Sequence, residues 1–176
     1  MRTILLIFIY FISVSSSLAD QNSSRLDPLF KELTQIKNEL AADLILAEIW
    51  SIWSRTDNEM AQLIFEEGNQ LMSKGQFEES ILTFTEVIAL QPDFAEAWNK
   101  RATVYFFNGE FERSIQDIER TLLLEPRHFG ALDGLAQIYF LQGEFLKAAA
   151  TYEQLLQILP FSENAKRQLE RINGQF

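Results

Sequence analysis

The chain has 176 residues, 47% of them hydrophobic and 23% charged, with seven glycines and four prolines, so it holds enough apolar material for a folded core. Fifteen basic against 25 acidic residues give a net charge of -10, the wrong sign for a surface that neutralises phosphates, which argues against nucleic-acid binding. With no cysteine and one histidine, disulfides, thiolate nucleophiles, zinc-finger sites and paired-histidine metal sites are excluded.

The chain opens MRTILLIFIYFISVSSSLADQ: one positive charge at Arg2, an apolar run from Ile4 to Val14, then small residues leading to Ala19. This is the layout of a secretory signal peptide over 1–19, cut between Ala19 and Asp20. The other reading, an uncleaved anchor helix, needs roughly 20 apolar residues, and the run from Ile4 to Val14 is far shorter. The expectation is therefore an exported protein, periplasmic or secreted, with no membrane span after cleavage. Without cysteine behind the leader, a lipid anchor is excluded. Residues 20–24 are expected to be a flexible start. Asn22-Ser23-Ser24 fits a glycosylation sequon, a very common pattern.

Residues 25–57 predict a helical hairpin. Its first helix is expected over Arg25 to Asn38, with Asp27 as cap, Pro28 in the first turn and Leu26, Leu29, Phe30, Leu33 and Ile36 at three-four spacing. Its second stripe is Leu46, Ile49, Trp50 and Trp53.

From Ala61 the chain repeats itself every 34 residues. Pro92, Pro126 and Pro160 keep this interval, and so do Gly75, Gly109 and Gly143, then Phe77, Phe111 and Phe145, then Ser80, Ser114 and Ala148. The copies are 61–94, 95–128 and 129–162. Each has two helical stripes, a glycine turn between them and a proline at the end. Small residues at Gly68, Ala102 and Ala136 face Ser80, Ser114 and Ala148, so the paired helices can approach closely. One such hairpin cannot bury its own apolar face, so the copies must stack. The hairpin over 25–57 is expected to cap the open N-terminal end of this stack, with both tryptophans packed on the first copy. Over 163–176, Ser162 caps a closing helix to about Asn173, with Ala165, Leu169 and Ile172 inward.

These residues resemble the tetratricopeptide-repeat (TPR) family. Trp98 and Leu132 match the large apolar residue early in the first helix, Leu71, Tyr105 and Tyr139 its late position, and Phe84, Ile118 and Tyr152 the aromatic position of the second helix. AEAWNKRATVYF with LEPRHFGALDGLAQIY is also similar to small exported TPR proteins of alphaproteobacteria. The resemblance implies an all-α TPR superhelix whose first helices line a concave groove. It places Phe65, Asn69 and Met72 there from the first copy, with Gln62. The second copy adds Asn99, Lys100, Thr103 and Phe106, with Glu96, and the third adds Asp133, Gln137 and Phe140, with Leu141. Amides would pair with the backbone of an extended peptide, and Phe and Met would form apolar sockets. Phe106, Phe140 and Leu141 could equally be part-buried between hairpins. The family's Lys/Asn/Arg clamp for acidic tails is nearly absent: Asn69 matches, but Phe65, Gly130 and Gly134 stand at clamp positions.

The sequence departs from the family where Glu67 and Arg101 replace Leu in the first helices. An ion pair between them is expected to fix the docking of the first two copies, with Asp117 as the other candidate partner of Arg101. His128, in the turn between the second and third copies, is expected to cap a helix or stand in solvent. With no phosphate loop, nucleophile elbow or metal spacing, a non-enzymatic protein without cofactor is expected. Its partner would be a protein or peptide bound in the groove. The alternative is an assembly subunit that dimerises or docks on an envelope complex through a helical face.

Overall fold

A computed structural model describes residues 23–36 and 39–174. Among the described residues the chain forms nine helices and no strand: α1 (Leu26–Leu33), α2 (Glu39–Trp53), α3 (Glu59–Ser73), α4 (Phe77–Leu90), α5 (Ala95–Phe107), α6 (Phe111–Leu124), α7 (Phe129–Leu141), α8 (Phe145–Ile158) and α9 (Glu163–Asn173). The predicted leader over 1–19, positions 20–22 of the predicted flexible start, the sequon asparagine and positions 37 and 38 lie outside the described residues.

Helices α3 to α8 are three hairpins with the same turn chemistry. Gly75, Gly109 and Gly143 have φ of 72°, 76° and 76°, which an L side chain rarely adopts. Each turn closes by two backbone bonds: Gly109 N–H donates to Phe106 and Glu110 N–H reaches back to Tyr105, with the same pair after α3 and α7. Inside each hairpin the small residues do what volume requires. A Cβ at Gly68 would lie 2.8 Å from the Phe84 ring, so only glycine lets α3 and α4 meet there. The small partner on the second helix is also a bonding group, because the Ser80 and Ser114 hydroxyls donate to the carbonyls of Gly68 and Ala102 at 2.9 and 2.7 Å.

The core is divided. Phe65, Phe84, Val87, Phe94 and Val104 form one apolar cluster across α3, α4 and α5. Ala102, Ile118, Leu135 and Ile138 form a second across α5, α6 and α7. The third joins the N-terminal hairpin to the other end of the stack: Leu26, Leu33, Ile49 and Trp53 share it with Phe129, Leu132, Tyr152 and Ile172. This corrects the expected packing of the tryptophans on the first repeat. Trp53 stacks on His128, with centroids 4.2 Å apart, and Trp50 meets His128 and Phe129 edge-on.

The same docking corrects two local expectations. Asp27 does not cap α1; Arg25 stands at the cap without a side-chain bond, and Asp27 accepts from Arg127 Nη1 at 2.7 Å. Arg127 also grips Glu125 and lies 4.3 Å over the Phe30 ring. Helix α1 ends at Leu33 rather than running on towards Asn38, as the Thr34 hydroxyl donates to the Lys31 carbonyl and the chain turns. At the other end α9 begins as expected, with Ser162 Oγ accepting from Ala165 N–H.

Candidate peptide-binding groove

The first helices α3, α5 and α7 bring part of the expected groove together and withhold the rest. Asn99, Thr103 and Phe106 of α5 face Asp133 and Gln137 of α7 across a cavity of about 230 Å³. Gly134 leaves its wall open, since a Cβ there would meet only Ile118, at 3.7 Å, whereas Gly130 lines it with its backbone packed on Trp50. A second cavity of about 480 Å³ adjoins it, sharing Phe106 and Gln137 and adding Phe140, Leu141 and, from α9, Gln168 and Arg171. The family pattern puts Gly134 at a clamp position but gives no part to its missing side chain, which makes the room, or to α9 as a wall.

The first-repeat residues line neither cavity. Phe65 is 2% exposed and packs against Phe84 and Phe94, so it belongs to the core and offers no socket, a correction that follows from α4 and α5 closing over it. Asn69 is half-buried and returns its amide to the Phe65 carbonyl, and Met72 leans on the same cluster. Phe106 and Phe140 are half-buried against Phe111 and Phe145, while Leu141 is exposed.

Beside the first cavity the N-terminal hairpin covers a buried charged knot. Glu96 is fully buried; its Oε2 accepts from Asn99 Nδ2 and lies 2.9 Å from His128 Nε2. His128 Nδ1 accepts from Ala131 N–H and so caps α7, which places the ring proton on Nε2, where it is donated to Glu96. Lys100 is drawn to the same carboxylate, 3.3 Å from Oε1 and 5.8 Å from the Trp50 centroid, so it does not line either cavity. Burial alone would raise the Glu96 carboxyl, but the bond from His128 and the charge of Lys100 hold it below its ordinary value. The opposite holds for Asp133, where burial pushes the carboxyl up against a single bond from Gln137. Burial, together with the charge of Asp133, pushes the Tyr152 phenol up to about 12.

On the other side of α5 the expected ion pair takes its second form. Arg101 grips Asp117 with two bonds of 2.7 and 2.8 Å and reaches Thr85 of α4 at 2.9 Å, while Glu67 is exposed and uninvolved. The guanidinium is taken up by α6 and α4, which leaves Glu67 of α3 outside the pair.

This architecture agrees with that of known proteins. Residues 68–109 match the TPR repeat and residues 99–163 the tetratricopeptide repeat, together more than half of the chain. The chain belongs to the tetratricopeptide-repeat family. It is 34% identical over 82 residues to a TPR repeat-containing protein of Rhizobium etli, a match that covers 47% of this chain and 40% of that one. The chain thus matches well under two thirds of that relative's length. Among solved structures it is similar to the first TPR of Spaghetti (RPAP3) bound to the HSP90 peptide SRMEEVD, at 23% identity and a TM-score of 0.64, covering 68% of this chain and 94% of that one. It is similar also to the Yersinia enterocolitica type III secretion chaperone SycD in complex with a peptide of the translocator YopD, at 11% identity and a TM-score of 0.65, covering 68% and 96%. At these identities the likeness shows the fold.

Proposed function

We propose that this TPR protein is an exported, non-enzymatic adaptor that holds a peptide segment of a partner protein in the groove between α5, α7 and α9. The observation that carries this reading is the pair of adjoining cavities, open, amide-lined and apolar in turn, in a fold that the solved peptide complexes of RPAP3 and SycD share. Export rests on the leader pattern at 1–19. Among the described residues no helix is long and apolar enough to cross a membrane. Site-specific photo-crosslinking tests the groove. A benzoylphenylalanine at Leu141, an exposed lining residue, should give an adduct with a partner in the native cell, and one at Leu82, exposed on α4, should not. Adducts from Leu82 alone would overturn the reading.

A second reading has one observation of its own. Leu40 and Leu44 stand one turn apart on α2 and are 83% and 84% exposed, an unpartnered apolar strip that suits a dimer or docking contact. Light scattering that finds a dimer, converted to monomer by Leu44→Lys, would favour it.

A further inference from the structure

The polar groups of the first cavity are unequal in a way that selects a ligand. Asp133 is the only ionisable residue among those that line it. Its Oδ2 accepts from Gln137 at 2.7 Å; its Oδ1 is buried and has no hydrogen-bond partner. A buried oxygen without a donor is costly, and it marks a place where a donor is missing. None of the neighbouring side chains bonds it. Gln137 gives an amide hydrogen to Asp133 Oδ2, Asn99 gives one to Glu96, and the Thr103 hydroxyl donates to the Asn99 carbonyl. With each amide nitrogen held at a carboxylate, the side-chain oxygens of Asn99 and Gln137 turn to a ligand as acceptors. Of the nearby cations, Lys100 pairs with Glu96, and Arg171 of the adjoining cavity bonds Gln168 and lies over the Phe140 ring. The cavity therefore presents acceptors, one of them charged, beside the Phe106 ring.

We propose that this cavity is a subsite for one arginine side chain of the bound segment, its guanidinium meeting the Asp133 carboxylate over the open wall at Gly134. The subsite presupposes the peptide groove between α5, α7 and α9 and names the chemistry of the partner. A guanidinium brings five donors in a plane, matching a carboxylate flanked by two amide oxygens, and its face suits an aromatic ring. The carboxylate torsion is soft, so a small rotation presents either oxygen. A chain of net charge -10 attracts a basic segment before contact.

The probe is a random peptide library displayed on phage and selected against the immobilised protein. Enriched peptides should share an arginine at one register. Replacing that arginine by citrulline, which is nearly isosteric and uncharged, should weaken binding by at least about tenfold. Asp133→Asn, with its fold checked by circular dichroism, should cause the same loss, and the two changes together should cost no more than either alone. Gly134→Leu, which fills the cavity from its open wall, should abolish binding. Peptides that lose binding on Gly134→Leu but are indifferent to citrulline and to Asp133→Asn overturn the arginine subsite and leave the groove standing. Peptides that bind Gly134→Leu undiminished, or a selection that yields none, overturn both.

Discussion

At the scale of single residues, two buried acids pull stability in opposite directions with pH. Glu96 has its carboxyl held below its ordinary value in the folded chain, so its contribution is present at neutral pH and is lost as pH falls through the folded value. Asp133 has its carboxyl raised, so its charge costs stability at neutral pH, and that cost is relieved as pH falls through the folded value. Asp133→Asn is expected to stabilise the free protein at pH 7 by about 1 kcal/mol, a gain that vanishes on acidification. Thermal melts from pH 7 to 4 check this, and a variant less stable than the parent at pH 7 would contradict it. His128→Ala should cost on the order of 3 kcal/mol, because it uncaps α7, takes one bond from the buried Glu96 carboxylate and empties the place under Trp53. The inter-repeat turn offered His128 two fates, a helix cap or solvent; it is the cap, and the ring is buried, not solvated. Its partner Glu96, 32 positions away, was not legible, because on the family pattern that position faces solvent in the groove.

At the scale of helices, the expected tie between the first two repeats exists, but it runs through second helices. Arg101 joins Asp117 of α6 to Thr85 of α4, and the Asp117 side chain is 7% exposed. Removing the arginine leaves a nearly buried carboxylate without its partner. Arg101→Met should therefore destabilise by about 3 kcal/mol, and adding Asp117→Leu should recover much of the loss. Urea unfolding of the four proteins in the cycle measures the coupling; losses that simply add would contradict the pair. Spacing alone located the acid and base but could not choose between Glu67 and Asp117, since Arg101 reaches either side of its own helix. The glycine turns, the ends of the repeats and the Ser162 cap were all legible, because each is dictated by local backbone chemistry repeated in register.

For the whole molecule, the feature that local pattern could not supply is where the N-terminal hairpin lands. Asp27 and Arg127 are 100 positions apart, and no periodicity links them. The landing site needs Gly130, where a Cβ would lie 2.7 Å from Trp50 Cη2. Gly130 also lines the first cavity, so the hairpin and the groove share a wall. Gly130→Ala should push Trp50 away and cost about 1–3 kcal/mol, through overpacking of the hairpin contact and not through the repeats. Tryptophan emission should shift to the red while the helical circular dichroism persists; unchanged emission would place the hairpin elsewhere.

Hydrogen exchange on the protein with and without a captured peptide shows whether a partner segment lies along α5 and α7. Amide exchange should slow in α5, α7 and α9, with α4 and the exposed face of α2 unchanged. Protection confined to α2 around Leu40 and Leu44, or to the outer helices, would contradict it.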